Sequence, residues 1–471
     1  MIEAIVRGAL QQRIVVVVAA CILLAFGLGA VRKLSVDAFP DVTNVQVQIA
    51  TEALGRSPQE VERAVTIPIE MAMTGLPGLV EMRSLNRPSL SLITLVFTER
   101  TNLYLARQMV TERLIEVRGR MPDGVTPLLG PVSSVLGEVY QYTLEHPDDG
   151  QRPLSVEELT KRRTLQDWVV RPYLRSIPGV AEINSTGGYV KQYQVLVHPD
   201  RLSHFGITPG DVYEALRNNN TNFGGGVLPH HNDQYLIRGL GLVRSIDDIG
   251  AIVLKEVGGT PVYIRDLAEV KIWHEPRFGA MVKNGVTEAV GGIVMMLAGE
   301  NAKAVVARVK QRVDALNKSG AIPDGLRLVP YYDRSELVDA ALATVIKVLV
   351  EGVLLVVVVL FLFLGDVRSS LIVVVTLVLT PLVTFIVMNK VGLSANLMSL
   401  GGLAIAIGLM VDGSVVVVEN AFSHLGRSSD ALVGRSSVIL RATLEVATPV
   451  LFGVGIIILV FLPLMTLEGM E

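Results

Sequence analysis

The run Leu397–Val418 is apolar for long enough to cross a bilayer as a helix, yet it carries Asp412 near its middle and is followed at once by Glu419. A carboxylate at mid-membrane costs roughly 2.5–3.5 kcal/mol on insertion scales. A helix that holds one must turn it away from lipid, which makes the acid a functional-site candidate. Asp412 and Glu419 stand about two helical turns apart, so both lie on one face. Gly401, Gly402, Gly408 and Gly413 are expected to let a neighbouring helix come close and bury that face. The acids then serve either as a proton or ion relay or as one side of an ion pair that holds the helices together. The relay is the expectation carried forward.

Four more stretches have the apolarity of membrane helices: Ile14–Val31, and about 344–364, 371–388 and 443–463. The remainder is not membrane-like. A chain of 471 residues that is 50% hydrophobic and 18% charged is too apolar for one soluble domain and too charged for a wholly embedded bundle. Ile14–Val31 reads as an uncleaved helix, because Arg32, Lys33 and then DAFPDV follow it where a signal peptide would have a small-residue cleavage site. Arg7, Arg13, Arg368, Arg427, Arg435 and Arg441 fall on one side of a five-helix path, and Lys390 on the other. The positive-inside rule therefore puts the N-terminus in the cytoplasm and the long segment after the first helix outside it.

Several function classes lose support at this level. Cys21 is the single cysteine, which leaves no disulfide framework and no cysteine-based zinc site. The net charge of −3 comes with no basic run or arm, so no nucleic-acid partner is expected. No GxxxxGK[ST] motif offers ATP-driven transport.

The long outside segment repeats itself. LPGLVEMRS at 76–84 is echoed by IPGVAEINS at 177–185, each after a helical stretch (about 57–74 and 155–175) and each opening a strand. MPDGV at 121–125 is echoed by IPDGL at 322–326, each closing a charged amphipathic helix. The alternating SLSLITLVF and the later EAVGGIVMML stand before those helices. Two βαββαβ units are expected, of the split kind found in ferredoxin-like folds. The first is continuous over 40–132. The second begins near Val135, is interrupted after its second strand, and resumes near Thr287. The insertion, about 189–273, is a small domain rich in Gly and Asn, with PHHND at 229–233 as a hairpin tip.

This order of helix, doubled unit with an insertion, and further helices resembles the resistance-nodulation-division (RND) efflux pumps. DAFPDVTNVQVQI (37–49), GLPGLVEMRS (75–84), GLGEVYQYTLE (136–145) and NLMSLGGLAIAIGLMVDGSVVVVENA (396–421) are similar to the heavy-metal efflux branch, the CusA/CzcA-like proteins. The resemblance implies an α+β membrane protein. Its parts would be a first transmembrane helix (1–36), porter subdomain 1 (37–133), porter subdomain 2 in two parts (134–188 and 274–333), an inserted docking domain (189–273) and transmembrane helices 2–5 (334–471). It implies a proton-driven secondary transporter rather than an enzyme, a homotrimer in membrane lipid of the Gram-negative inner membrane. A periplasmic adaptor and an outer-membrane channel would complete it, with no permanent cofactor and with protons as coupling ion. Asp412 matches the family's proton-loading carboxylate and Glu419 the acid two turns on. A carboxylate that alternates between protonated and ionised forms is the kind of local charge change to which a conformational cycle couples.

The transported metal stays open between Cu/Ag and Zn/Co/Ni/Cd. The zinc-type members carry a further Asp where this chain has Ala406. The copper-type members carry methionines along this helix; Met398 and Met410 match two of them, and the third position is Val417. Thioethers suit Cu(I) and Ag(I), carboxylates and imidazoles suit Zn(II), and ordinary helix packing accounts equally for both methionines. Met295 and Met296, adjacent on a strand, face opposite ways and are read as core. Glu138, in a strand beside the expected cleft, is a further substrate-contact candidate. His230, His231 and Asp233 read as a solvated turn, and Asp37 and Asp41 as groups that orient the exit of the first helix. Two other functions remain: an organic-solute pump, for which 5% aromatic residues are few, and a non-transporting membrane accessory protein. Family pumps have a duplicated array, so the chain is expected to be about half of a longer product and not to transport by itself.

Overall fold

Chain order, local sequence and packing all separate the molecule into apolar helices and a sheet-bearing portion. The computed structural model describes residues 2–34, 36–37, 43–150, 152–277, 279–323, 325–364, 367–427 and 434–463. Asp41, with Phe39 and Pro40, lies outside them.

Two helices come first, α1 (Ile2–Gln11), whose apolar residues gather on one face, and α2 (Arg13–Lys33). The first unit follows as β1 (Gln46–Glu52), helix α3 (58–73), β2 (Leu79–Arg87), β3 (Leu90–Phe97), α4 (Leu103–Val117) and β4 (Pro127–Leu129). Its sheet has the order β2-β3-β1-β4, with β1 antiparallel to both neighbours. The second unit repeats this as β5 (Glu138–Glu145), α5 (156–175) and β6 (Val180–Gly187). After an insertion come β14 (Thr287–Met296), α6 (Ala302–Lys318) and β15 (Arg327–Asp333). Here β14 sits between β6 and β5, and β5 pairs with β15 on its other side. Each sheet lays one face on its own pair of helices. Val47, Ile49, Ile93 and Leu95 pack on Val65, Ile69, Val110 and Leu114 in the first unit; Tyr140, Tyr142, Ile183 and Val294 pack on Val170, Leu174, Val305 and Val309 in the second.

The echoes in sequence are also echoes in local physics. Ser57 with Glu60 and Ser155 with Glu158 form capping boxes that satisfy the first amides of α3 and α5. Both helices contain a π-helical turn, Glu62–Thr66 and Gln166–Val170, just ahead of Pro68 and Pro172. Proline has no N–H and crowds the preceding carbonyls, and a widened turn accommodates it. The π turns also place polar side chains against the sheets. Thr66 bonds Asn86 and Ser91, and Tyr142 donates to the Gln166 carbonyl oxygen at 3.1 Å.

Within the insertion, β7 (Lys191–Val197) pairs antiparallel with the closing strand β12 (Ala268–His274). Between them, β8 (Phe223–His230) and β9 (Asp233–Gly239) form an exposed ribbon whose tip is His231–Asn232, with His231 at φ 54°. Strands β10 (Val253–Val257) and β11 (Thr260–Tyr263) form a second hairpin, and the edge strand β13 (Met281–Lys283) pairs with β14. Leu202, Ile207, Val212, Val262 and Leu267 make the insertion's own core.

The chain ends in four long helices: α7 (Arg334–Leu364), α8 (Val367–Val391), α9 (Leu397–Arg427) and α10 (Arg435–Phe461). With α2 they are the five helices, among the described residues, long and apolar enough to cross a membrane. At the contact of α2 with α8, a Cβ on Gly27 would stand 2.6 Å from Leu382 Cβ, so only glycine permits that approach.

Candidate functional site

Helix α9 is fixed at its start by Asn396, whose side-chain oxygen accepts from the amides of Met398 and Ser399, both at 3.0 Å; the Ser399 hydroxyl in turn accepts from the Asn396 amide at 2.9 Å. This is the reciprocal capping that a helix start favours. At about 100° per residue, Leu400, Leu403 and Ile407 fall on one side of α9. They are buried together with Val373 and Leu377 of α8.

The opposite side is the polar one. Gly401, Gly408, Asp412 and Glu419 fall within about 20° of a single line along the helix. Asp412 and Glu419 are both exposed, and no hydrogen bond or ion pair ties either acid to another described residue. The glycines depart from the close packing expected of them. An added Cβ would meet nothing within 4 Å at Gly401, Gly402 or Gly408, and only Gly413 is close to a neighbour, with Val450 Cγ1 of α10 at 3.3 Å. The reason is geometric: α8 and α10 take the sides of α9 flanking the acid stripe, and among the described residues the stripe itself is left uncovered. The stripe is lined with small residues and two acids, and among the described residues no cation pairs with either acid.

Met398 and Met410 are not brought together. They stand about 18 Å apart along the helix axis at 1.5 Å per residue. Met398 is exposed. Met410, with Thr376 and Thr380 of α8, Ser414 and two aliphatic side chains, lines a cavity of about 10 Å³, room for one water. Met296 is in the core of the second unit and Met295 on the other face of β14. Glu138 is exposed at the first position of β5, where Gln141 donates to it at 2.9 Å; it belongs to the sheet-bearing portion and has no contact with the acid stripe. His230 and His231 stack edge to face at the ribbon tip. Among the described residues no group of three or more His, Cys, Asp or Glu side chains is arranged to hold a metal ion.

Two polar constellations were not read from sequence. At the far end of α9, Asn420 donates to the Ala442 carbonyl at 2.8 Å and His424 Nε2 stands 3.1 Å from Glu445, joining α9 to α10. The signal was there: Asn420 and His424 are four apart, hence neighbours on one face. At the other end, Arg334 joins the start of α7 to Asp37.

The comparisons with known proteins cover this whole architecture. The family model described as AcrB/AcrD/AcrF matches residues 5–471. The cation efflux system protein CzcA of Alcaligenes sp. (strain CT14) is 44% identical, with 100% of this chain and 44% of the relative covered. The cation efflux system protein CusA of Escherichia coli (strain K12) is 39% identical, with 100% and 45% covered. A crystal structure of a heavy metal efflux pump superposes with a TM-score of 0.87 at 35% identity, covering 99% of this chain and 45% of that one. The chain thus spans less than half the length of the relatives it matches. From one end of the match to the other it belongs to the AcrB/AcrD/AcrF family of the RND superfamily, in the heavy-metal efflux branch.

Proposed function

We propose that this chain is part of a proton-driven transporter that exports heavy-metal cations. The observation that carries the reading is the uncovered stripe of Asp412 and Glu419 on a membrane-length helix. An acid in that place is costly unless function requires it, and it has no partner among the described residues. The names of the relatives support metal as the cargo, since one is a cobalt-zinc-cadmium resistance protein of Cupriavidus metallidurans and another a nickel-cobalt-cadmium resistance protein. Asp412 takes and gives up the proton, Glu419 lies next on its path, and the glycines of the stripe allow a further helix to close over it.

In this reading the two βαββαβ units, 37–133 and 134–188 with 274–333, are the porter, 189–273 is the docking domain, and both lie in the periplasm above an inner-membrane bundle. The working assembly is a homotrimer with a periplasmic adaptor and an outer-membrane channel. No catalytic step is involved; the metal is cargo, and Met398, Met410 and Glu138 are the groups to test for contact with it.

The test is metal tolerance of a pump-deleted host that carries the complete gene, challenged with Cu(I), Ag(I), Zn(II), Co(II), Ni(II), Cd(II) and a few dyes and detergents. Rescue against any of the metals is expected. Rescue against dyes alone would identify an organic-solute pump, and no rescue at all would favour an accessory role.

A further inference from the structure

We propose that Arg334 and Asp37 form a strut that passes motion of the Asp412-bearing helix α9 to the second sheet; this rests on the transport reading above. Arg334 is 5% exposed, a nearly buried charge at the junction where β15 runs straight into α7 with no intervening loop. Its Nε and Nη2 both donate to Asp37 Oδ1, at 3.1 and 2.8 Å, and its Nη1 donates to the Leu136 carbonyl just ahead of β5. Asp37 in turn follows the exit of α2. Its amide donates to the Ala395 carbonyl at 3.1 Å, and Val36 bridges Ala395 in parallel. Ala395 is next to Asn396, which caps α9.

The connected path therefore runs from the α9 cap through Ala395, Asp37 and Arg334 to Leu136 and β5, the strand that carries Glu138. The junction is stiffened from the side. Asp333, the last residue of β15, accepts from the Ser335 amide at 2.8 Å and its hydroxyl at 2.7 Å, and pairs with Lys310 of α6. A buried guanidinium that shares one carboxylate between two N–H groups tolerates little change in geometry. A shift of α9 at its capped end must accordingly move the sheet with it or break the pair. Coupling of this kind is carried by packed elements and ion pairs with discrete arrangements.

The test uses the complete gene product purified and reconstituted in vesicles, with zinc as the probe, recording metal flux and proton flux together under an imposed proton gradient. Arg334→Gln and Asp37→Asn are expected to lower the metal moved per proton by about tenfold, at wild-type yield and oligomeric state, with Arg334→Lys recovering part of the loss. Lys303→Gln, which breaks the exposed pair with Asp339 on the next turn, should leave the ratio unchanged. If Arg334→Gln does not fold, Asp37→Asn carries the test, because it leaves the Leu136 bond in place. A variant that melts earlier yet keeps the wild-type ratio would reduce the pair to a structural role and overturn the strut. Wild-type protein that moves zinc with protons while both variants do the same would overturn it alone. Wild-type protein that moves no cation would overturn the transport reading, and the strut with it.

Discussion

Gly292 sits where β14 passes closest to the polar link between the second sheet and its helix, so Gly292→Ala tests that packing in a single methyl group. An added Cβ would lie 2.4 Å from Tyr142 Oη, 2.6 Å from its Cζ and 2.7 Å from Gln166 Nε2. Neither side chain has room to move, since both are fully buried. The ring must shift or the Tyr142–Gln166 hydrogen bond at 3.1 Å must break. Overpacking costs about 1–3 kcal/mol, and a buried hydroxyl or amide left unpaired about 1–3 kcal/mol more, for a total of about 2–6 kcal/mol. At roughly 2–4 °C per kcal/mol for a unit of this size, the second unit should unfold about 4–24 °C below wild type. The assay is thermal unfolding of the detergent-solubilised chain followed by near-UV circular dichroism, with Gly279→Ala, which meets no atom within 4 Å, as the control. Combining it with Tyr142→Phe should cost less than the sum of the two, because the phenol oxygen is the nearest obstacle. A Gly292→Ala protein melting within about 1 °C of wild type would refute the packing argument.

Other outcomes follow from the same geometry. Gly408→Leu should leave the fold of this chain unchanged, because a Cβ at that position would meet no described neighbour within 4 Å, and should abolish export in the complete pump if a further helix closes over the stripe. Unimpaired export would show that the stripe stays open. Met398→Leu and Met410→Leu, assayed on the metal panel, should lower tolerance to Cu(I) and Ag(I) only, if the thioethers touch cargo; an unchanged profile assigns both to packing. Acid should loosen the sheet-bearing portion. Arg277 holds the Glu288 carboxyl below its usual range, and at Asp149 and Asp333 burial, which by itself raises the carboxyl, is outweighed by hydrogen bonds from Arg162 and from Lys310 and Ser335. Groups depressed on folding stabilise above the unfolded carboxylate range and lose that stabilisation as pH falls through their folded values. Melting temperature should therefore drop below about pH 4, and a rise on acidification would contradict the assignment of these pairs.

Much of this architecture could be read from periodicity. The run SLSLITLVF alternates in sequence and is β3 in the structure, and five apolar stretches coincide with five helices. Helix ends were less legible. α7 begins at Arg334, ahead of the apolar stretch near 344, because Arg334 and Glu336 form helix about as readily as leucine does while carrying no hydrophobic signal. The acids of α9 stood out because a charge inside an apolar run is rare, and the glycines beside them did not reveal which face would be covered. Spacing alone gives the angle around a helix, and only packing shows that α8 and α10 take the other sides. Arg334 with Asp37, and His424 with Glu445, join residues far apart in the chain, and no local pattern encodes such pairs.

The most direct test of the central claim is Asp412→Asn in the complete protein, reconstituted in vesicles, with proton flux recorded as zinc or silver is supplied. The account predicts normal insertion and yield, since Asp412 has no described ion-pair partner to lose, together with loss of both metal-dependent proton flux and metal export. Export that continues at the wild-type rate, with its protons, would show that the carboxylate at the centre of α9 is not the relay.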